Sequence, residues 1–162
     1  MKLNLTELDP LSSKPNLRRL RLLSYYLKSV PEEHFNLCSW INLGTGRLVN
    51  GQLKVIAKNT TACAIGWATQ IPEFIKEGFK LDHAVINKIF IYNISPTYKN
   101  ERGYVAVENF FGLTLDESLN LFNSRHYNYS SFFNDHHYNK TLVKTVIRRI
   151  DKFIAKTESL NF

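Results

Sequence analysis

The chain has 162 residues, 44% hydrophobic and 13% aromatic, with 21 basic against 14 acidic residues for a net charge of +7. That is enough apolar side chain to bury a core in one domain without disulfide staples, and the charge favours anionic partners without requiring them. No apolar run approaches the roughly 20 residues of a membrane span, and the opening MKLNLTELDP lacks the features of a secretion signal, so a cytoplasmic protein with no membrane partner is expected.

Residues 1–14 carry Pro10, Ser12 and Ser13 among scattered leucines and are expected to form an arm, leaving 15–162 as a single globular domain. From Pro15 to Val30, Leu20, Leu23, Leu27 and Val30 recur at helical spacing, while Lys14, Arg18, Arg21 and Lys28 fall on another side. The pattern predicts an amphipathic helix with a basic outer face, ended by Pro31. Phe35, Leu37, Ser39, Ile41 and Leu43 alternate with period two, which predicts a short strand. Asn50-Gly51, set between Arg47-Leu48-Val49 and Gln52 to Ala57, is a hairpin signal, because both turn positions tolerate positive φ. Gly44-x-Gly46 lacks the third glycine and helix start of a phosphate loop.

The most apolar and best punctuated stretch is TTACAIGWATQIPEFIKEG, residues 60–78. A Thr pair at 60–61 is placed to cap a helix through Cys63, Gly66 and Trp67, whose small residues let neighbouring backbones approach closely. Pro72 stops that helix or opens a second one, and Gly78 supplies a left-handed exit. Residues 81–94 fit either a helix running into a loop or a buried strand over 88–94, the strand being preferred. Pro96 and TYKNERG read as a surface turn, and Tyr104, Val107, Phe110 and Phe111 as one face of a helix closed by Gly112. Thr114 with Glu117 forms a capping box that launches a helix through Phe122. Residues 123–139 show no clean period and are expected to form a long loop. The last helix, from about Lys140, turns Val143, Val146, Ile147, Ile150, Phe153 and Ile154 inward, with Lys140, Lys144, Arg148, Lys152 and Lys156 as an outer basic stripe. The fold class expected is α+β and mainly helical. A small antiparallel β patch over about residues 36–57, joined by 88–94 in the strand reading, packs on about five helices.

Three runs carry a resemblance: Phe35-x-Leu37-x-x-Trp40, Thr60-x-Ala62-Cys63-Ala64-x-Gly66-Trp67-Ala68, and Phe111-Gly112-Leu113-Thr114 ending in Leu121-Phe122. They resemble a family of small uncharacterised proteins of bacteriophages and bacterial genomes with F-x-[LM]-x-x-W, C-G-T-x-x-C-x-x-G-W-A and [LF]-G-L-[TS]…L-F runs. The resemblance spans roughly residues 35–122 and brings no named activity. Lys58-Asn59 stands where the family has Cys-Gly, which argues against a paired-cysteine centre. The abundance of Asn, Lys, Ile, Tyr and Phe also suits an A/T-rich bacterial or phage gene.

Cys38 and Cys63 are too few and too far apart for a zinc box or a disulfide framework, and are expected as thiols. Cys63 near a helix start, with His83, His126, His136 and His137 downstream, permits a Cys-then-His hydrolase, with Cys63 and His126 as its candidates. The competing reading, a buried thiol one turn before Trp67, is preferred. His126, His136 and His137 with Asp135 match no familiar metal spacing, so no metal or cofactor is expected. Binding candidates are the cations and aromatics of the loop and last helix: Arg102, Arg125, His126, Tyr127, Tyr129, Lys144, Arg148 and Lys152. The basic faces of the first and last helices with Tyr127, Tyr129, Phe132 and Phe133 suit phosphate contacts and base stacking in a nucleic-acid reading, and Arg102, Arg125 and the His/Tyr loop suit capture of a small anionic ligand. The function ranked first is that of a non-catalytic accessory protein of phage or mobile-element type acting on a protein partner.

Overall fold

A computed structural model describes residues 14–86, 89–127 and 138–160. The fold is α+β, with six α-helices and small antiparallel sheets among the described residues. The expected arm at 1–14 lies outside them except for Lys14.

Helix α1 (Leu17–Leu27) is started by Asn16, whose side-chain oxygen accepts the Arg19 amide at 3.1 Å, one of the four amides a helix start leaves without an internal partner. Leu20, Leu23, Leu27 and Val30 are buried and Arg18, Arg21 and Lys28 exposed, as the spacing predicts. A 3-10 turn (Glu32–His34) follows. The predicted strand at 35–43 is much shorter: β1 is only Ile41–Asn42, paired with β4 (Thr61–Ala62). Phe35 and Leu37 are buried as their alternation requires, but Phe35 makes a single bridge to Ala62 and then leaves the ladder. Between these strands lies the predicted hairpin, β2 (Arg47–Val49) and β3 (Gln52–Val55), with Asn50 at φ 49° and Gly51 at φ 77°.

Thr60 and Thr61 do not cap the central helix. Thr61 belongs to β4, and the Thr60 hydroxyl donates to the Leu43 carbonyl at 2.8 Å while accepting the Ala57 amide at 2.9 Å. That tie to the hairpin region moves the helix start three residues on, so Cys63 is the N-cap of α2 (Ala64–Ala68). Pro72 opens α3 (Pro72–Lys76) at its first position, and Gly78 follows with φ 92°.

The strand expected at 88–94 is present but longer, and it joins a sheet of its own and not the 36–57 patch. β5 (Lys80–Ile86) and β6 (Ile89–Tyr98) form a long antiparallel pair, and β7 (Glu101–Arg102) adds a third strand. Pro96 lies within β6, so the turn is confined to Lys99-Asn100. Helix α4 (Gly103–Phe111) ends at Gly112 with φ 65°, and α5 (Leu115–Phe122) begins with the complete Thr114/Glu117 capping box. A 3-10 turn (Ser124–His126) follows, and α6 (Tyr138–Ser159) lies along α1.

The core is aromatic at its centre. Phe79 and Phe110 stack at 4.2 Å and 8°, Phe74 and Phe111 meet them edge-on, and the Arg19 guanidinium covers the other side of Phe110 at 4.1 Å. Arg19 also donates to the Phe110 carbonyl and to Glu77, so this cation of the first helix is a packing residue and not part of its basic face.

Candidate functional site

Two cavities meet α2, one at Trp67 and one at its N-cap Cys63, and they differ in chemistry. The first, about 390 Å³, runs between the end of α1, the α2–α3 corner and the β2–β3 hairpin. Its walls are mainly apolar: Tyr26, Leu53, Ile56, Trp67, Pro72 and Ile75, with Gln52, Gln70 and Lys76 supplying polar groups. Gln70 builds it. Standing between the two short helices, its side chain accepts the Leu53 amide at 2.7 Å and donates to the Gly51 carbonyl at 3.2 Å, clamping the hairpin against the corner. The turn itself is seated on β5, where a Cβ at Gly51 would come within 2.6 Å of the Leu81 carbonyl oxygen. Trp67 forms a fixed wall, its indole N–H donating to the His34 carbonyl at 3.0 Å. Beyond that wall the hairpin keeps Ile56 52% and Val55 44% exposed, and Tyr25 is exposed on α1. Large β-branched side chains beside an apolar groove form a surface that gains by being covered.

The second cavity, about 220 Å³, is lined by Cys38, Trp40, Cys63, Tyr104, Phe122 and Asn123 among others. Here the Cys63 sulfur is placed, and it is only 3% exposed. Burial pushes its thiol up to about 11, against a smaller opposing pull from the Gly66 and Ile65 amides. The groups that feel this sulfur are the phenols of Tyr104 and Tyr127, both themselves raised above the usual tyrosine range by burial. A nucleophilic thiol requires a nearby base or a lowered pKa; Cys63 has phenols for neighbours and a raised one. Its partner candidate, His126, is exposed on the 3-10 turn after α5, where its amide donates to the Asn123 carbonyl at 3.1 Å and its carbonyl accepts from Arg149 at 2.8 Å. Cys38 is exposed and Cys63 buried, and no disulfide joins them.

The other predicted binding residues do not converge. Arg102 is exposed at the end of β7, where it donates to the Asp82 carbonyl at 3.0 Å, and Arg125 is exposed on the 3-10 turn. Tyr127 is buried, its hydroxyl donating to the Leu121 carbonyl at 2.5 Å and its ring lying 3.7 Å beneath the Arg149 guanidinium. It is therefore unavailable for stacking on a base. Tyr129 and the His136-His137 pair lie outside the described residues. Lys144, Arg148 and Lys152 are exposed on α6, with Lys144 3.6 Å from Glu32. Arg18 and Arg21 on α1 are likewise paired, with Glu77 and Glu158. No group of three or more His, Cys, Asp or Glu that could hold a metal occurs among the described residues, nor does any helix there long and apolar enough to cross a membrane.

Sequence reasoning missed the groove. Its walls come from four separate elements, and periodicity reports on one element at a time. The available signal was Val55-Ile56, two adjacent β-branched residues at the end of a hairpin strand, of which at most one can face the sheet's inner side. Arg149 was missed for a related reason: in a basic helix nothing marks the one cation that folds back to hold the Asn120 and His126 carbonyls. No protein-family model, curated protein or solved structure matches the chain.

Proposed function

We propose that this chain is a small non-catalytic accessory protein, of the phage-type family its sequence runs resemble, that works by seating a segment of another protein in the groove between α1, the α2–α3 corner and the β2–β3 hairpin. The observation that carries this reading is an apolar groove whose own wall residue Ile56 stays 52% exposed. Fully burying a side chain such as isoleucine is worth about 1.5–3 kcal/mol, and about half of Ile56 is still in water. Lys76 at the rim and the overall charge of +7 suit a partner segment with large apolar anchors on an acidic background. A cysteine hydrolase is disfavoured by the burial of Cys63 and by its titration near 11.

Nucleic-acid binding is the second reading, favoured by Arg148 and Lys152, which are exposed on α6 with no acidic partner among the described residues. It is weakened by the pairing of Arg18, Arg21 and Lys144 with carboxylates and by the burial of Tyr127. Affinity capture from a bacterial lysate, with and without nuclease, separates the two. Protein binding predicts a nuclease-resistant polypeptide lost with Ile56→Asp and kept with the Arg148→Gln/Lys152→Gln pair. The opposite pattern would favour nucleic acid.

A further inference from the structure

A third cavity, about 410 Å³ and mostly polar, opens on the β5–β6–β7 sheet. Its walls include Lys80, Asp82, Thr97, Lys99, Asn100 and Arg102. The strand register explains why they meet. Lys80 on β5 lies opposite Thr97 on β6, and Thr97 lies opposite Arg102 on β7. Directly opposed residues point to the same face of a sheet, so Lys80 and Arg102 flank Thr97 with their backbones about 10 Å apart, two strand spacings. Like charges so placed repel, and no ion pair relieves them: among the described residues neither Lys80, Lys99 nor Arg102 is bonded to a carboxylate. Arg102 turns to the Asp82 carbonyl instead, and the Asp82 carboxylate accepts the His83 amide. The Lys99 ammonium lies 5.2 Å from the Tyr98 ring. The floor is fixed by Thr97, whose hydroxyl donates to the Lys80 carbonyl at 3.2 Å.

The turn that holds Lys99 at the cavity mouth is strained. Lys99 (φ 48°) and Asn100 (φ 67°) are both left-handed, a conformation that costs most residues about 1 kcal/mol or more each and persists where surroundings demand it. A two-residue hairpin turn with both φ positive normally carries asparagine or aspartate followed by glycine; here the first place holds a cation.

We infer that this cavity binds the phosphoryl group of a small phosphate monoester, with Lys80, Lys99 and Arg102 supplying the countercharge and the Asn100 amide a further donor. Three cations against the single carboxylate of Asp82 match a dianion. A monoester is doubly charged above its second ionisation near pH 6, whereas the diester of a nucleic-acid backbone carries one charge per phosphate. The volume exceeds what one phosphate fills, leaving room for part of the group it is attached to.

The test uses the full chain, ribose 5-phosphate as probe, and amide chemical-shift mapping at constant ionic strength. Saturable shifts confined to residues around 80–82 and 97–102 are expected, tightening as pH rises from 5.5 to 7.5. The Lys80→Gln/Arg102→Gln pair is expected to weaken binding at least tenfold, since a hydrogen bond to a charged group is worth about one decade or more. Lys99→Gln should weaken it less, and Lys58→Gln, exposed on the turn before β4, should leave it unchanged. Circular dichroism of each variant establishes that the fold survives. Shifts that never saturate, equal effects of chloride, an undiminished affinity in the folded double variant, or binding of a DNA oligonucleotide but not of ribose 5-phosphate would each overturn the inference.

Discussion

Gly66→Ala places a methyl group where the fold has no room for it. In an ordinary helix interior this change stabilises by about 1 kcal/mol. At this position the new Cβ would lie 1.8 Å from the Trp40 carbonyl oxygen and 2.8 Å from the Ala62 Cβ. Ordinary van der Waals contact begins near 3.4 Å, so the backbone of Trp40 or of α2 has to retreat by about 1.5 Å, a distance no side-chain rotation supplies. The retreat is costly because it pulls on the join between β1 and α2, where the Cys63 amide donates to the Ser39 and Trp40 carbonyls at 3.2 and 3.3 Å. Overpacking costs about 1–3 kcal/mol and loss of a buried backbone hydrogen bond a similar amount, against the helix gain of about 1. The net expectation is a loss of about 1–5 kcal/mol, or a fall in Tm of roughly 2–20 °C at this chain length. Urea titration followed by tryptophan fluorescence measures it, with Trp40 and Trp67 both beside the perturbed contact. A Gly66→Ala protein as stable as the parent would refute the reasoning, because the close approach of β1 to α2 would then not exist.

Further outcomes follow from the same contacts. Gln70→Ala removes both bonds that clamp the hairpin, so the Leu53 amide should exchange with deuterium at least tenfold faster while amides of α1 stay protected; unchanged Leu53 protection would contradict the clamp. Thr114→Ala deletes half of the α5 capping box and should cost about 1 kcal/mol in urea unfolding, with no change if the cap is dispensable. The pH dependence has a defined sign. Cys63 titrates near 11 when folded against 9.0 as a free thiol, so the native state holds a proton that the unfolded chain releases. That contribution to stability is complete below pH 9 and is lost between pH 9 and 11, with a slope of at most about 1.4 kcal/mol per pH unit. Tyr104 and Tyr127, also raised, act in the same direction at higher pH. Cys63→Ala should flatten the stability curve over that window; an equally steep decline would mean that the thiol is not buried in the folded state.

How far residues alone could go depended on whether a feature was local. The α5 capping box, the Asn50-Gly51 turn, Pro72 at the start of α3 and Gly112 at the end of α4 were all readable, because each is decided by the φ preference or hydrogen-bonding capacity of one or two residues. The buried faces of α1 and α6 were readable as well, from spacing that repeats over several turns. Misreadings arose where a distant element competed. Thr60 is as good a cap as Thr114 by type, yet its hydroxyl is engaged by Leu43 and Ala57 in the preceding loop region. β5 was overlooked because Lys-Leu-Asp-His-Ala-Val-Ile lacks clean alternation; its pairing with β6 shifts register between His83 and Ala84, which breaks the period. Neither the groove nor the polar cavity on the β5–β6–β7 sheet could be foreseen, since Gln70, Lys80 and Arg102 act through partners 17 to 20 residues away.

In the proposed role, the groove beside Trp67 receives a protein partner. The most direct measurement places the photo-crosslinker p-benzoylphenylalanine at position 76, on the groove rim, and irradiates the protein in bacterial cells. The prediction is one discrete polypeptide adduct, acidic in its crosslinked segment, that disappears when Ile56→Asp is added and does not form from a crosslinker at position 152. An adduct that persists with Ile56→Asp, or one that forms only from position 152, would contradict it.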